Sequence, residues 1–582
     1  MFRKFLPSAV LLDRSPQSGY TDCGMKMARV MTFLMVLLLG SAQSQIPLPT
    51  APDWSSIDTD YSTGGAFADI DGNGYLDFCI SNGNDMAADP NAVYFNQNGN
   101  LETNASWRST DLGYFGHCYT GDIDNDGDQD FVVAYLGDYQ HPSELHVRVY
   151  RNTGTGLEPL PFWKAKDSVS SFDCCLGDFD LDGDLDLAIS AGDAYRGAMD
   201  RVRIYRNNNG VFDSLPFWYA KLDTASDAIR FADIDNDGDL DLFVGHRRKV
   251  VMYRNNNGSF DTIPEWVVRR AIGWVLRLEL GDYDQDGYLD LAVASNDQLG
   301  DPNSIKVFHN NQGTLDTVAA YTMQTRGTQL YSSCVAWGDV NGDGFPELAA
   351  GGWWQPVVVY LNRCGVLDTT PSWSWSPANP NNLVCEALLW TDVRNCHLAS
   401  VTERHNGDGI RKLFNFTKRP IQFLDSVKVN DTIVPRAAYC YDRHLGWCSF
   451  ATPPSLGTDN VVFYYHYATT PDLAVTNWAR TAGNHLFLNT TPTAIAQNQP
   501  SSKPVLHKLI VHPNPASGPV LLTTFGPLPA TVDIFSQDGR LIEKLIIKHS
   551  SPVRYNRNLP NGVYFITAPG YQPVKLLRLE SK

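Results

Sequence analysis

The sequence predicts an all-β chain whose larger part closes into a ring of four-stranded sheets, and three observations carry that prediction. A nine-residue acidic pattern, D-x-D-x-D-G-x-x-D, returns six times. An aromatic residue stands before each copy. Between the copies lie short apolar runs, about four per repeat, bounded by Gly, Asn and Asp rather than by helix caps.

The copies begin at Asp69, Asp122, Asp178, Asp233, Asp282 and Asp339, spaced 53, 56, 55, 49 and 57 residues apart. A further 53 residues reach Asp392, in LLWTDVRNCHLASV, a degenerate seventh copy with apolar flanks, no run of acids and a loop that reads as shortened. Trp54, Trp107, Trp163, Trp218, Trp266, Tyr321 and Trp373 each precede one of these seven loops, the placement expected of residues wedged between neighbouring sheets. Four short strands per repeat of ~40 to 55 residues is the signature of a β-propeller blade. Seven markers give a seven-bladed propeller over residues 45–419. Because Trp54 has no preceding blade of its own, the N-terminal segment should supply the outer strand of the last blade and clasp the ring.

The acidic loops read as calcium sites. A hard cation takes six to eight oxygens, and carboxylates at positions 1, 3 and 5, a Gly at position 6 for the sharp turn and an acid at position 9 supply such a set. The candidate ligands are Asp69, Asp71, Asn73 and Asp77; Asp122, Asp124, Asp126 and Asp130; Asp178, Asp180, Asp182 and Asp186; Asp233, Asp235, Asp237 and Asp241; Asp282, Asp284, Asp286 and Asp290; and Asp339, Asn341, Asp343 and Glu347. An EF-hand would need a ligand at position 12 and helical flanks, but position 12 of the second copy is Val133 and both flanks read as strands. About six calcium ions are therefore expected, and they would bring the formal charge of −18 to −6. The acidic balance thus reflects metal ligands, and it excludes nucleic acid and anionic lipid as partners.

These repeats resemble FG-GAP or VCBS repeats, the family that includes the propeller of integrin α-subunits. The resemblance implies that each acidic loop joins the first two strands of a blade and binds calcium; the seventh loop departs from the pattern, and no metal is expected there.

Outside the repeats, Lys26 and Arg29 precede an apolar run from Met31 to Gly40 and a small-residue cleavage pattern at Ala42-Gln43-Ser44, so residues 1–44 read as an upstream extension and a signal peptide. Ten of the 11 cysteines follow it, and Cys440 with Cys448 is the favoured disulfide pair. Cys79, Cys118 and Cys334 read as buried small hydrophobes. Residues 420–490 are expected to form a small β-rich domain and 491–504 a Pro, Ser and Gln linker. In residues 505–582, Pro513-Asn514-Pro515, Asp538-Gly539-Arg540 and Gly562-Val563-Tyr564 lie among alternating β-patterns and resemble the Ig-like sorting domain of type IX secretion substrates. That resemblance implies export through the type IX machinery, with release or attachment at the outer cell surface.

No H-E-x-x-H, G-x-S-x-G, P-loop or G-x-G-x-x-G occurs, and no catalytic residue is singled out. A calcium-binding propeller acting as a binding or adhesion module for a glycan or protein is the favoured function. A polysaccharide lyase or glycosidase on the same scaffold is the alternative.

Overall fold

The computed structural model describes residues 46–492 apart from 85, 139–144, 195, 270–271, 300–303 and 324–330, and beyond 507 the strands of a C-terminal segment. Residues 1–45, expected to hold a signal peptide, most of residues 491–504, and the Pro513 and Asp538 motifs lie outside the described residues. Apart from two single-turn 3-10 helices, every described element is a strand.

Ser62–Ala68, Asp77–Asn82, Ala92–Tyr94 and Trp107–Arg108 pair antiparallel in that order, so consecutive strands are neighbours. The same order recurs from Phe115–Gly121 to Trp163–Lys164, from Cys174–Gly177 to Trp218–Tyr219, from Ser226–Ala232 to Trp266–Val268, from Trp274–Gly281 to Tyr321–Thr322 and from Tyr331–Gly338 to Trp373–Trp375. The first strand of each sheet packs on the first strand of the next. These inner strands are almost wholly buried and lack alternation, because both of their faces meet protein.

The seventh sheet is assembled differently. Its strands are Leu388–Thr391, Asp472–Val475, His485–Phe487 and Trp54–Ser55. Its inner strand packs on both Tyr331–Gly338 and Ser62–Ala68, which closes the ring, and its outer strand comes from the N-terminal segment, as the position of Trp54 predicts. The expected boundary after residue 419 does not follow the sheets: Asp472–Val475 and His485–Phe487 are ring strands, and the small β-domain is an insertion between the first two strands of the seventh sheet. It holds two sheets of its own, one of Leu398–Gly407, Gly457–Ala468, Ile421–Val429 and Thr432–Ile433, the other of Leu413–Asn415, Trp447–Phe450 and Tyr439–Asp442. Phe414, Phe416, Tyr439, Phe450, Phe463 and Tyr465 fill its core.

Two side-chain ladders run around the ring. The marker tryptophans donate their indole N–H to a carbonyl in the following sheet: Trp54 to Leu101, Trp107 to Leu157, Trp163 to Phe212, Trp218 to Phe260 and Trp266 to Leu315, at 2.9 to 3.3 Å. Trp373 donates to Pro49, so the N-terminal segment receives it. Tyr321, which has no indole, packs edge-on against Tyr283 at 5.6 Å. The second ladder is made of asparagines. Asn96, Asn152, Asn207, Asn255, Asn310, Asn362 and Asn489 donate their amide N–H to Val393, Ile70, Ile123, Phe179, Ile234, Tyr283 and Val340 at 2.7 to 2.8 Å, each reaching the second residue of the preceding sheet's acidic loop. Seven bonds close the circle.

The favoured disulfide is not formed. Cys440 pairs in register with Ser449 and Tyr441 with Cys448, so the two thiols leave opposite faces of a two-strand ribbon. Cys440 joins the ring core and Cys448 the core of the insertion. Cys79, Cys118 and Cys334 are buried thiols, as expected. In the C-terminal segment Lys508–His512, Val520–Phe525 and Val553–Tyr555 form one antiparallel sheet; Leu541–Ile547, Ala530–Ser536, Gly562–Thr567 and Val574–Arg578 form another.

Candidate metal centres and aromatic end

Each acidic loop links the first and second strands of its sheet, where an inner strand must reverse within a few residues. The fourth residue of the turn takes a left-handed backbone even where it is not glycine, with φ of 55° at Asn125, 58° at Leu181, 60° at Asn236 and 62° at Gln285. The position-1 carboxylate accepts the N–H of the position-6 glycine at 2.8 to 3.2 Å in all six loops, from Gly74 to Asp69 through Gly344 to Asp339. In five of the six loops the position-9 acid accepts the N–H of position 2, as in Ile70 to Asp77 at 2.9 Å, and in all six it accepts that of the ladder asparagine, as in Asn96 to Asp77 at 2.7 Å. One acid therefore ties the loop to the third strand.

The donor set fits a divalent cation. Oxygens of Asp69, Asp71 and Asp77 lie within 4.8 Å of one another, as do those of Asp122, Asp124 and Asp130 and those of Asp178, Asp180 and Asp186. Asp124 Oδ1, Asp180 Oδ1 and Asp233 Oδ1 are buried and have no hydrogen-bond donor. An oxygen taken out of water and given no proton is costly, and a metal ion supplies what is missing. Burial likewise raises Asp77, Asp130, Asp241 and Asp290 to about 8 and Glu347 to about 9. Calcium bound here would cancel the repulsion among the acids and fix each turn; it would act as a structural tie.

The loops differ in their cationic neighbours. Arg254 Nη1 lies 2.7 Å from both Asp235 Oδ2 and Asp241 Oδ2, Arg206 Nε 2.8 Å from Asp180 Oδ2, and His309 Nε2 3.0 Å from Asp284 Oδ2. In the fifth loop His309 joins Asp284 and Asp286 in the ligand cluster, a residue that the spacing of acids alone does not reveal. The insertion adds Arg436 on Asp122, Asn415 Nδ2 at 2.8 Å from Asp233 Oδ2, and Lys412 Nζ at 2.6 Å from the Leu181 carbonyl. It therefore covers part of the acidic-loop end.

The turn of its Tyr439–Phe450 hairpin enters the ring. Tyr119 donates to Asp442 at 2.6 Å, Arg443 donates to the Phe67 carbonyl at 2.8 Å, and His444 Nε2 lies 2.8 Å from Glu279 Oε2. Beneath it, Arg230 bridges Asp173 at 2.8 Å and Glu279 at 3.3 Å, while Arg277 binds Glu279 at 2.8 Å. The guanidinium groups hold Asp173 down to about 2 and keep Glu279 well below the usual carboxylate range against the opposing effect of burial. This network is charge-balanced and buried, which fits a structural joint between inner strands.

The opposite end of the ring, where inner strands begin and second strands finish, carries an aromatic cluster. Trp354 is 40% exposed, sits at φ 57° and meets Tyr331 edge-on at 5.5 Å and Trp353 at 6.3 Å. Trp353 and Trp478 donate their indole N–H to Glu386 Oε1 at 2.6 and 3.0 Å. Tyr61 lies 6.0 Å from Trp478 and carries the Arg480 guanidinium over its ring at 4.4 Å.

The family profile of the FG-GAP-like repeat matches residues 69–133, 122–189, 178–244, 233–293 and 282–350. No curated protein matches the chain. Among solved structures, BBS1N in complex with ARL6DN, soaked with mercury, is 12% identical with a TM-score of 0.39, over 60% of this chain and 91% of that one. A lectin of Agrocybe aegerita with specific recognition of non-reducing terminal N-acetylglucosamine is 19% identical with a TM-score of 0.33, over 53% of this chain and 79% of that one. Residues 69–350 carry five FG-GAP-like repeats, which support an FG-GAP-repeat β-propeller.

Proposed function

We propose that this propeller is a calcium-loaded binding module, exported and released or held at the outer cell surface, that takes a glycan or protein ligand at its aromatic end and performs no catalysis. The observation that carries the reading is the cluster of Tyr331, Trp353, Trp354, Trp478 and Tyr61 beside Glu386, Asp89 and Arg480. Aromatic faces bury the apolar face of a sugar ring or a partner's side chain, and a few polar groups fix its orientation. The acidic-loop end is partly occupied by the insertion, so the aromatic end is the better candidate for recognition. Calcium at the six acidic loops would hold the ring in shape, and the C-terminal segment would serve the type IX secretion machinery.

A glycan and polysaccharide screen that scores retention and cleavage together tests this reading. Retention lost in Trp354→Ala, without cleavage products, is the expected result. Cleavage would replace it with the polysaccharide-degrading alternative. Calcium counting on the mature protein should give about six ions per chain, and two or fewer would overturn the calcium assignment.

A further inference from the structure

The seventh loop keeps the turn of the other six while changing its chemistry. His397 occupies position 6 and donates its backbone N–H to Asp392 Oδ2, as the position-6 glycines do to their own position-1 acids. Asn395 at position 4 has φ 53°, left-handed like its counterparts and within a few degrees of Asn125. Gly99 packs on Arg394 at position 3, as Gly210 packs on Asp124 and Gly313 on Asp235. The position-9 acid is Asp472: it pairs with Thr391, accepts the Val393 N–H at 3.1 Å and accepts the Asn489 N–H at 2.6 Å, the bonds that Asp77 makes.

Within this retained frame the acids at positions 3 and 5 are gone, replaced by Arg394 and Cys396. Arg394 places its guanidinium 3.2 Å from Asp472 Oδ1, supplying a fixed cation where the other loops gather acids. Positions 5 and 6 are Cys396 and His397.

We propose that the seventh loop is a site for a zinc-class transition-metal ion, bound by Asp392, Cys396 and His397. Their ligand atoms lie within 4.8 Å of one another. Cys396 Sγ is 3.6 Å from His397 Nδ1 and 3.8 Å from Asp392 Oδ1. A tetrahedral ion with bonds of ~2.3 Å to sulfur and ~2.0 Å to nitrogen or oxygen sets such edges at about 3.5 Å. The imidazole is already oriented: Nε2 lies 3.1 Å from the Thr491 carbonyl oxygen, which can only accept, so the proton sits on Nε2 and Nδ1 turns its lone pair toward Cys396. One thiolate and one carboxylate neutralise a divalent ion. Thiolate and imidazole prefer a borderline-soft metal, whereas calcium requires hard oxygens. Binding releases the thiol proton to solvent, and three protein ligands leave a fourth position for water.

The test is the metal content of the full mature chain equilibrated with zinc chloride in millimolar calcium, compared with Cys396→Ser and His397→Gln. One zinc per chain is expected in the parent and none in either variant, with calcium content and circular dichroism unchanged as the check on folding. Cobalt loaded into the parent should give a thiolate-to-metal charge-transfer band that Cys396→Ser lacks. Absence of zinc from the parent, displacement of zinc by calcium, or zinc retained in both folded variants would overturn the assignment.

Discussion

The fourth and seventh sheets have the same architecture built from very different stretches of chain. The fourth lies in one run, residues 226–268, and its acidic loop spans the nine residues from Asp233 to Asp241. The seventh takes strands from residues 54–55, 388–391, 472–475 and 485–487, and its two loop acids, Asp392 and Asp472, are 80 residues apart. Both end in the same hydrogen bonds, from Asn255 to Asp241 at 2.8 Å and from Asn489 to Asp472 at 2.6 Å. What is preserved is a three-dimensional joint, independent of the connection between its parts. An insertion with its own core is tolerated there because its ends fall on paired neighbours, Thr391 and Asp472, and closure entropy grows only slowly with loop length.

If this equivalence holds, the seventh sheet should be the weaker, because one of its strands comes from the other end of the ring. Deleting residues 45–58 removes that strand and the acceptor of Trp373, and it should abolish the single cooperative transition in a circular-dichroism melt. Trp54→Ala alone should cost about 3 kcal/mol. A truncated chain that melts like the parent would show that the ring needs no clasp.

Acid should separate the two sheets next. Burial lowers His485, whose ring meets Ser55 across the clasp at 2.8 Å, from 6.5 to about 4, and lowers His246 in the fourth sheet to about 3. Both folded states favour the neutral ring, so this stability is fully present above pH 6.5 and is lost as pH falls through the folded value. The loss for His485 is on the order of 3 kcal/mol by linkage. His485→Gln should flatten the fall in denaturant midpoint between pH 6.5 and 4, and His246→Gln should flatten a fall that extends lower. Parallel pH profiles for parent and variants would refute this.

The asparagine ladder predicts equality where the chain connections differ. Asn489→Ala strands the Val340 carbonyl and Asn255→Ala the Phe179 carbonyl, so each should cost about 2 kcal/mol at unchanged denaturant slope. A neutral Asn489→Ala would mean that the seventh joint bears no strain from the ring.

The smallest effect concerns calcium. Asp235→Ala should lower stability by about 1 kcal/mol in millimolar calcium and converge with the parent's behaviour in excess chelator, whereas the effect of Asp392→Ala should be the same with and without calcium. A calcium-dependent Asp392→Ala would contradict the change of ligand chemistry in the seventh loop.

Much of this was legible because the repeat is local. Each acidic loop, its glycine turn and the strands on either side lie within one short window, and the period between aromatic markers counts the sheets, Trp54 included. The insertion was not legible. Separating Asp392 from Asp472 destroys the spacing by which the motif is recognised, so the seventh loop reads as shortened when it has been opened. The asparagine ladder was hidden for another reason: R-N-N-N-G segments read as turns, and nothing in their spacing shows which carbonyl of the preceding sheet the first asparagine reaches. Cys440 and Cys448 bracket a short turn, but registry one residue out of step puts them on opposite faces.

By itself, then, the sequence determined the all-β class, the period of the ring, the acids gathered in six turns and the wedge that begins at Trp54, since turn chemistry and strand alternation depend on neighbours in the chain. Tertiary structure alone decided that Asp472 completes the seventh loop, that the insertion's hairpin meets Tyr119 and Glu279 inside the ring, and that Asp392, Cys396 and His397 converge near Thr491. Those contacts join residues up to hundreds of positions apart, and their distances follow from how closely packed sheets close upon one another.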